Sequence, residues 1–320
     1  MVCLMGVPHS RIRLRSLLSR TLRLLQDNSS VPTGYRLTVL RCFADVVGLL
    51  DNRFQTSAEL DVVDGVLRGR WVIGAGASIQ QGVVLYLHGG GFVFGSSRSH
   101  LALAQRLSEA SGLAVFLLDY RLAPEHPFPA AADDAIAAYR CLLDRGFEPS
   151  RVALAADSAG GHLLCSVLND ATRDNLPMPA AAVLFSPCLD LTGSGAAQRD
   201  AVRRDPVISP VLGAKMIRSY VHGATMEHSR LAVLSADMRR WPPVLIQVGD
   251  TECLLTDSER LAESLARAAV PSLLQVWPDQ VHVFQALARV SLDARDALRE
   301  AGWFLASNIG RQNTVERVGT

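Results

Sequence analysis

Nothing in the 320 residues leans electrically to one side. Thirty-two basic residues face 31 acidic ones, for a formal charge of +1. So even a balance gives no global pull toward nucleic acid. Lysine is almost missing: Lys215 is the sole one and arginine takes its place, a matter of codon usage that carries no function. No apolar run nears the ~18–20 residues that a membrane-spanning helix needs, so no integral membrane segment is expected. The N-terminus does not read as a signal peptide, because Arg11, Arg13, Arg15, Arg20 and Arg23 break every stretch that could form its apolar core. The cysteines (Cys3, Cys42, Cys141, Cys165, Cys188 and Cys253) include no C-x-x-C pair, which argues against a zinc site or a dithiol redox centre. Most lie in apolar stretches, as small core residues of a reducing compartment do, and a cytoplasmic location is the expectation. Neither G-x-x-x-x-G-K-[ST] nor G-x-G-x-x-G occurs, so the familiar phosphate-cradling loops are absent. There is no internal repeat and no low-complexity segment.

What is present is ample material for a core: 49 % hydrophobic residues against 20 % charged. Leu14, Leu17, Leu18, Leu22 and Leu25 recur at helical spacing among arginines, which predicts a basic amphipathic helix over 11–25. Its leucine face would pack on the body of the protein, or else lie on a membrane surface. A second helical pattern runs over 35–50 through Leu37, Leu40, Val47 and Leu50. From about residue 60 short apolar runs alternate with helical patterns. Val83–Leu87, Ala114–Leu118, Val152–Ala155, Ala181–Phe185, Val244–Val248 and Leu273–Trp277 are strand candidates. Leu101–Ala110, Ala130–Leu143, His162–Ala171 and Ser258–Ala268 are helix candidates. Apolar strands separated by helices imply an α/β fold with a mostly parallel sheet covered on both faces, whose chemistry sits on loops at the carboxyl ends of the strands. Residues 186–243 break the alternation and read as an excursion that returns to the sheet. The polar end beyond Ser307 reads as a fraying tail.

Two loops carry the chemistry. Ala156-Asp157-Ser158-Ala159-Gly160 follows a strand and precedes a helix, the setting of a nucleophile elbow. Its first position is Ala156 rather than glycine, a small residue still. His88-Gly89-Gly90-Gly91-Phe92 follows the strand Val83–Leu87. Consecutive glycines there can turn main-chain N–H groups toward a developing oxyanion, each such donor being worth ~3–4 kcal/mol of barrier. A serine nucleophile needs a base, and the base an orienting carboxylate. His88 belongs to the glycine loop and braces it. His162 points away inside a helix, His126 lies in a proline-rich loop, and His9, His100, His222 and His228 follow no strand. His282 lies after the last strand, in the order Ser…acid…His. For the acid, Asp250, Glu252 and Asp257 follow the strand Val244–Val248. Asp257 looks like the start of the next helix, and spacing alone does not separate Asp250 from Glu252.

Together with Asp119-Tyr120-Arg121-Leu122-Ala123-Pro124-Glu125-His126-Pro127-Phe128-Pro129-Ala130, Ser186-Pro187-Cys188-Leu189-Asp190-Leu191-Thr192 and Trp241-Pro242-Pro243, these motifs resemble the hormone-sensitive-lipase-like family of α/β-hydrolase esterases over roughly residues 60–305. The resemblance implies an α/β-hydrolase fold, a mostly parallel central sheet flanked by helices with a helical N-terminal cap. On that pattern 1–55 is the cap region, 56–307 the catalytic domain with a cap-like excursion at 186–243, and 308–320 the tail. Ser158 is then the nucleophile and His282 the base. The family acid opens a D-P-L-x-D-E stretch thirty residues before the histidine, which lands on Glu252, with Asp250 as the second choice. Gly90, Gly91 and Ala159 would supply the oxyanion donors. Phe92 and Phe94 would line an acyl or alcohol pocket or simply fill the core.

The implied activity is hydrolysis of short- to medium-chain carboxylic esters through an acyl-enzyme, with no metal and no organic cofactor. The partner is a small-molecule ester; a homodimer is frequent in similar proteins, without a sequence signal of its own here. The triad alone does not separate an esterase from an amidase, peptidase or lactonase. A receptor on the same scaffold would be expected to lose a catalytic group, most simply the histidine.

Overall fold

A computed structural model describes residues 2–3, 37–39, 41–42, 45, 57–63 and 67–311. The helix expected over 11–25 and the tail beyond Arg311 lie outside the described residues. So does most of the second helical pattern, although residues 37–39, 41–42 and 45 are helical.

The strands are β1 (Val2–Cys3), β2 (Ser57–Val63), β3 (Leu67–Ile73), β4 (Ser78–Leu87), β5 (Leu113–Asp119), β6 (Val152–Asp157), β7 (Ala182–Phe185), β8 (Val244–Gly249) and β9 (Ser272–Trp277). The helices that follow residue 100 are α1 (Leu101–Ser111), α2 (Ala130–Asp144), α3 (Ala159–Arg173), α4 (Ser194–Val202), α5 (Pro210–Val221), α6 (Leu255–Arg267) and α7 (Leu292–Asn308). The described strands form one sheet in the order β1-β9-β8-β7-β6-β4-β5-β3-β2. Only β2 with β3 and β3 with β5 pair antiparallel; the other neighbours are parallel.

Alternation along β4 explains the layers. Val83, Leu85 and Leu87 join a core with α2, α3 and α6, whereas Val84 and Tyr86 join a second core with α1 and α7. All residues of β6, β7 and β8 are buried, as strands covered on both faces must be. Each of the six strands expected from apolar runs is present; five are longer than expected, by up to five residues at the start and two at the end, and β7 begins one residue later, at Ala182. The four helices expected after residue 100 are present too.

Residues 186–243 leave the sheet after β7, form α4 and α5, and return as β8. Helix α5 starts as its sequence dictates, with Pro210 at the first turn and Ser209 Oγ accepting from the Leu212 N–H at 3.2 Å. Among the described residues no helix is long and apolar enough to cross a membrane. Of the described cysteines Cys165 and Cys253 are buried, Cys141 and Cys188 half-buried, and Cys42 exposed, all as free thiols.

Candidate active site

The carboxyl ends of β4, β6, β8 and β9 converge on one cavity. At the end of β6 the chain turns sharply into α3 through Ser158, whose φ of 51° and ψ of −121° lie in a region costly for a residue with a Cβ. The turn is held from outside: the Ser158 N–H donates to Phe185 O at 2.9 Å, and its carbonyl accepts from Gly161 and Cys188 N–H groups at 3.0 Å each. Gly160 must be glycine, because a Cβ there would lie 2.0 Å from the Leu87 carbonyl oxygen. Ala156 sits fully buried within β6, where the motif's usual first glycine is not needed.

His282, in the loop after β9, has its Nε2 3.0 Å from Ser158 Oγ and its Nδ1 2.8 Å from Glu252 Oε2. With Nδ1–H donating to the carboxylate, Nε2 is left to accept from the serine hydroxyl. Glu252 is fully buried. Its Oε1 accepts from the Gly249 N–H at 2.6 Å and from Ser186 Oγ at 2.7 Å. Arg199 ties the loop down by donating to the carbonyls of Glu252 and Asp250, both at 2.7 Å. Burial alone would push the His282 pKa down; the hydrogen bond and charge of Glu252, with Asp205 and Asp157 behind, outweigh it and leave the imidazole raised above 6.5. The other two carboxylates point elsewhere. Asp250 pairs with Arg203 at 3.0 Å and accepts from the Asp279 N–H at 2.7 Å. Asp257 accepts from the N–H groups of Leu189 and Asp190.

The glycine loop lies opposite. Gly90 and Gly91 have φ of 114° and 61°. The N–H groups of Gly90, Gly91 and Ala159 have no hydrogen-bond partner among the described residues, so they are available to an anion in the cavity. The loop is fixed to β6 through Asp157, whose Oδ1 accepts from the Gly89 N–H at 3.0 Å and from Tyr86 Oη at 2.9 Å. Burial works against the charge of Asp157, yet His100 and Tyr86 outweigh it and hold its carboxyl below the usual carboxylate range. His88 packs between Tyr120 and His100 at centroid distances of 4.2 and 5.3 Å. Burial, reinforced by His100, pushes it down to about 3, so it braces the loop as a neutral ring. Tyr86, His100, Tyr120 and the bracing role of Asp157 escaped sequence reasoning. The one available signal was the position of Asp157 beside Ser158.

Ser158, His282, Gly90, Gly91 and Ala159 border a cavity of about 470 Å³. Helix α5 and the loop before it close the far side with Ile208, Met216 and Ile217. Phe92 and Phe94 both border the cavity. The Phe92 side chain, however, is fully buried and stacks on Tyr220 at 4.0 Å, so core filling is its main business. His162 faces away, with its Nε2 3.1 Å from Leu231 O, and burial pushes it down to about 4. A hydroxyl, an imidazole, a buried carboxylate and free N–H donors around one apolar cavity are the equipment of acyl transfer.

Residues 84–286 match a family model described as the α/β-hydrolase fold. An acetyl-hydrolase of Streptomyces hygroscopicus is 39 % identical over 227 residues, 71 % of this chain and 76 % of that protein. The esterase LipU of Mycobacterium tuberculosis is 34 % identical over 236 residues, 71 % and 78 % of the two chains. Among solved structures, an esterase from the bacterial hormone-sensitive lipase family superposes with a TM-score of 0.83 at 32 % identity, covering 94 % of this chain and all of the other.

Proposed function

The chain belongs to the hormone-sensitive-lipase-like family of α/β-hydrolases, and from that premise we propose that it is a serine carboxylesterase acting on short- to medium-chain esters. Ser158 Oγ attacks the ester carbonyl while His282 Nε2 takes its proton. Glu252 holds the imidazole tautomer and stabilises the imidazolium. The oxyanion rests on the N–H groups of Gly90, Gly91 and Ala159. His282 returns the proton to the departing alcohol, then draws one from water, whose attack releases the acid and frees Ser158. Side chains and main-chain donors perform every step.

The observation that carries this reading is the chain of contacts from Ser158 Oγ through both ring nitrogens to a buried carboxylate, at 3.0 and 2.8 Å. A cavity of about 470 Å³ suits a small ester. Leu37, buried in the core, and Arg41, whose Nε donates to Val93 O at 2.9 Å, support residues 1–55 as a cap over the domain 56–307. The free thiols of Cys42, Cys141, Cys165, Cys188 and Cys253 suit a reducing, cytoplasmic setting.

A fluorophosphonate should label Ser158, and soluble butyrate esters should turn over faster than their matching amides and faster than long-chain triglyceride emulsions. An unlabelled serine would make the protein a receptor on a hydrolase scaffold. An amide preferred over its ester would make it an amidase.

A further inference from the structure

The strand order β8-β7-β6 puts the end of β7 between the strand that delivers Ser158 and the strand that leads to Glu252. A residue immediately after β7 therefore stands within reach of both. That residue is Ser186. It is fully buried, and its φ of 48° is unfavourable for anything with a Cβ. Its neighbours already grip the nucleophile turn, Phe185 through its carbonyl and Cys188 through its N–H. Its own N–H continues the ladder to Gln247 O at 2.8 Å.

The hydroxyl bridges the triad's acid and the turn that follows its histidine. Ser186 Oγ donates to Glu252 Oε1 at 2.7 Å. The same oxygen accepts from the N–H of Val283, the residue after His282, at 3.1 Å. Val283 also sits at a φ of 48°, so its turn, which aims the imidazole, is held in an unfavourable conformation that needs an external tie. A carboxylate bound to histidine through one oxygen is free to swivel about its last bond. The Gly249 N–H restrains Oε1 from one side and the Ser186 hydroxyl from another. We propose that Ser186 is a positioning residue of the esterase, whose hydroxyl fixes the Glu252 carboxylate and the His282 turn together, so that the chain from Ser158 to Glu252 is assembled before substrate arrives. This rests on the serine-esterase reading above. Outer partners that orient metal-bound histidines commonly matter 10–100-fold, and a displacement of ~1 Å in a reacting group costs on the order of 100-fold.

The role leaves an electrostatic signature. The charges acting on His282 are Glu252, Asp205 and Asp157, all acidic. Removing a donor from Glu252 leaves more negative charge facing the imidazole, which then keeps its proton to higher pH. The acid limb of kcat should move up, which a plain loss of stability would not cause.

The test compares Ser186→Ala and Ser186→Gly in the full chain, each alone and combined with Glu252→Gln. Rates are followed with p-nitrophenyl butyrate across pH, with thermal melting alongside. Glycine accepts a φ of 48° freely, so that variant keeps the fold even where alanine does not. Expected is a kcat at least tenfold lower with KM within about twofold, an acid limb displaced upward, and no further loss when Ser186→Gly is added to Glu252→Gln, since the hydroxyl acts through that carboxylate. A kcat within about twofold of the parent, or an equal loss in the Glu252→Gln background, overturns the assignment. A parent that neither hydrolyses the ester nor reacts with a fluorophosphonate sinks the esterase reading and this role with it; an active parent with equally active Ser186 variants sinks the role alone.

Discussion

Two regions face each other across the same cavity and are built on opposite principles. On one side are the ends of β4, β6 and β8, strands whose last residues are buried and whose loops are tied by short hydrogen bonds into a single frame. On the other is the excursion of α4 and α5, two short helices with Val202 at 90 % and Val211 at 50 % exposure. Arg203 of this segment reaches the sheet-side loop through an ion pair with Asp250. Chemistry needs atoms fixed to fractions of an ångström, and the close-packed side supplies that. Substrate selection needs a wall whose shape can differ between relatives, and a surface-facing excursion supplies that. Substitutions on the first side should therefore strike kcat or the fold, and those on the cavity-facing residues of the second should strike selectivity, Arg199 of α4 excepted because it holds the Glu252 loop.

The sharpest break of this division comes from Ser158→Ala. It removes one oxygen at the mouth of a turn, so melting should be nearly unchanged while turnover falls on the order of 10⁴–10⁶-fold. Residual turnover within a hundredfold of the parent would move the nucleophile elsewhere. Next is the comparison of Glu252→Gln with Asp250→Asn. The amide cannot hold the same tautomer of His282, and a loss of about 10⁴-fold is expected. Asp250, which serves Arg203 and the Asp279 N–H, should matter within about twofold. The reverse ranking in steady-state rates would hand the acid role to Asp250.

Gly160→Ala tests the frame itself. The added methyl would meet main-chain oxygens of Leu87 and His88 at 2.0 and 2.6 Å, neither of which is a flexible side-chain end. A stability loss of about 3 kcal/mol or more is expected in chemical denaturation. A variant that melts like the parent would show the strand ends to be far softer than their packing implies.

The same division governs what the sequence disclosed. The parallel strands announced themselves because burial on both faces leaves an unbroken apolar run. The pair β2 and β3 did not: β3 mixes Arg68, Gly69 and Arg70 with Trp71, and Gly69 is there because Phe116 and the Leu117 carbonyl crowd its face. Nothing in a linear pattern reveals that crowding. Helices α4 and α5 are not legible within the excursion over 186–243, because α4 buries only Ala196 and α5 only Ile217, Tyr220 and Val221, too little for a strong periodic signal. At the site, Ser158 and the glycine loop are legible as contiguous motifs, while only the family pattern that the motifs resemble sets Glu252 apart from Asp250. The contacts of Ser186, Asp157 and His100 join positions far apart in sequence, and only the strand order brings them together.

A smaller effect separates the two regions by pH. His282 must be neutral to accept a proton, and Glu252 holds its pKa above 6.5 against the effect of burial. As pH falls through that raised value the base form disappears, so the acid limb of kcat/KM should lie above pH 6.5. In Glu252→Gln burial is no longer offset by that charge, and the limb should move to lower pH. Substitutions in α5 should leave it where it is. A limb unmoved in Glu252→Gln would mean that another group sets the profile.

The gentlest test lies on the wall that the excursion builds. Met216 of α5 borders the cavity, and its sulfur and methyl lie 2.8 Å from where a Cβ on Gly91 would stand, so its side chain rests against the oxyanion loop without belonging to it. Met216→Ala should open room beside the reacting carbon. Since one methylene in an apolar pocket is worth ~1–3 kcal/mol of discrimination, the ratio of kcat/KM for octanoate over acetate esters should rise about tenfold. The acetate rate should stay close to the parent's, because none of the groups that handle protons or the oxyanion has moved. A uniform fall for all chain lengths would show that Met216 supports the glycine loop rather than shaping the pocket, and would shift it from the adaptable region of the molecule to the fixed one.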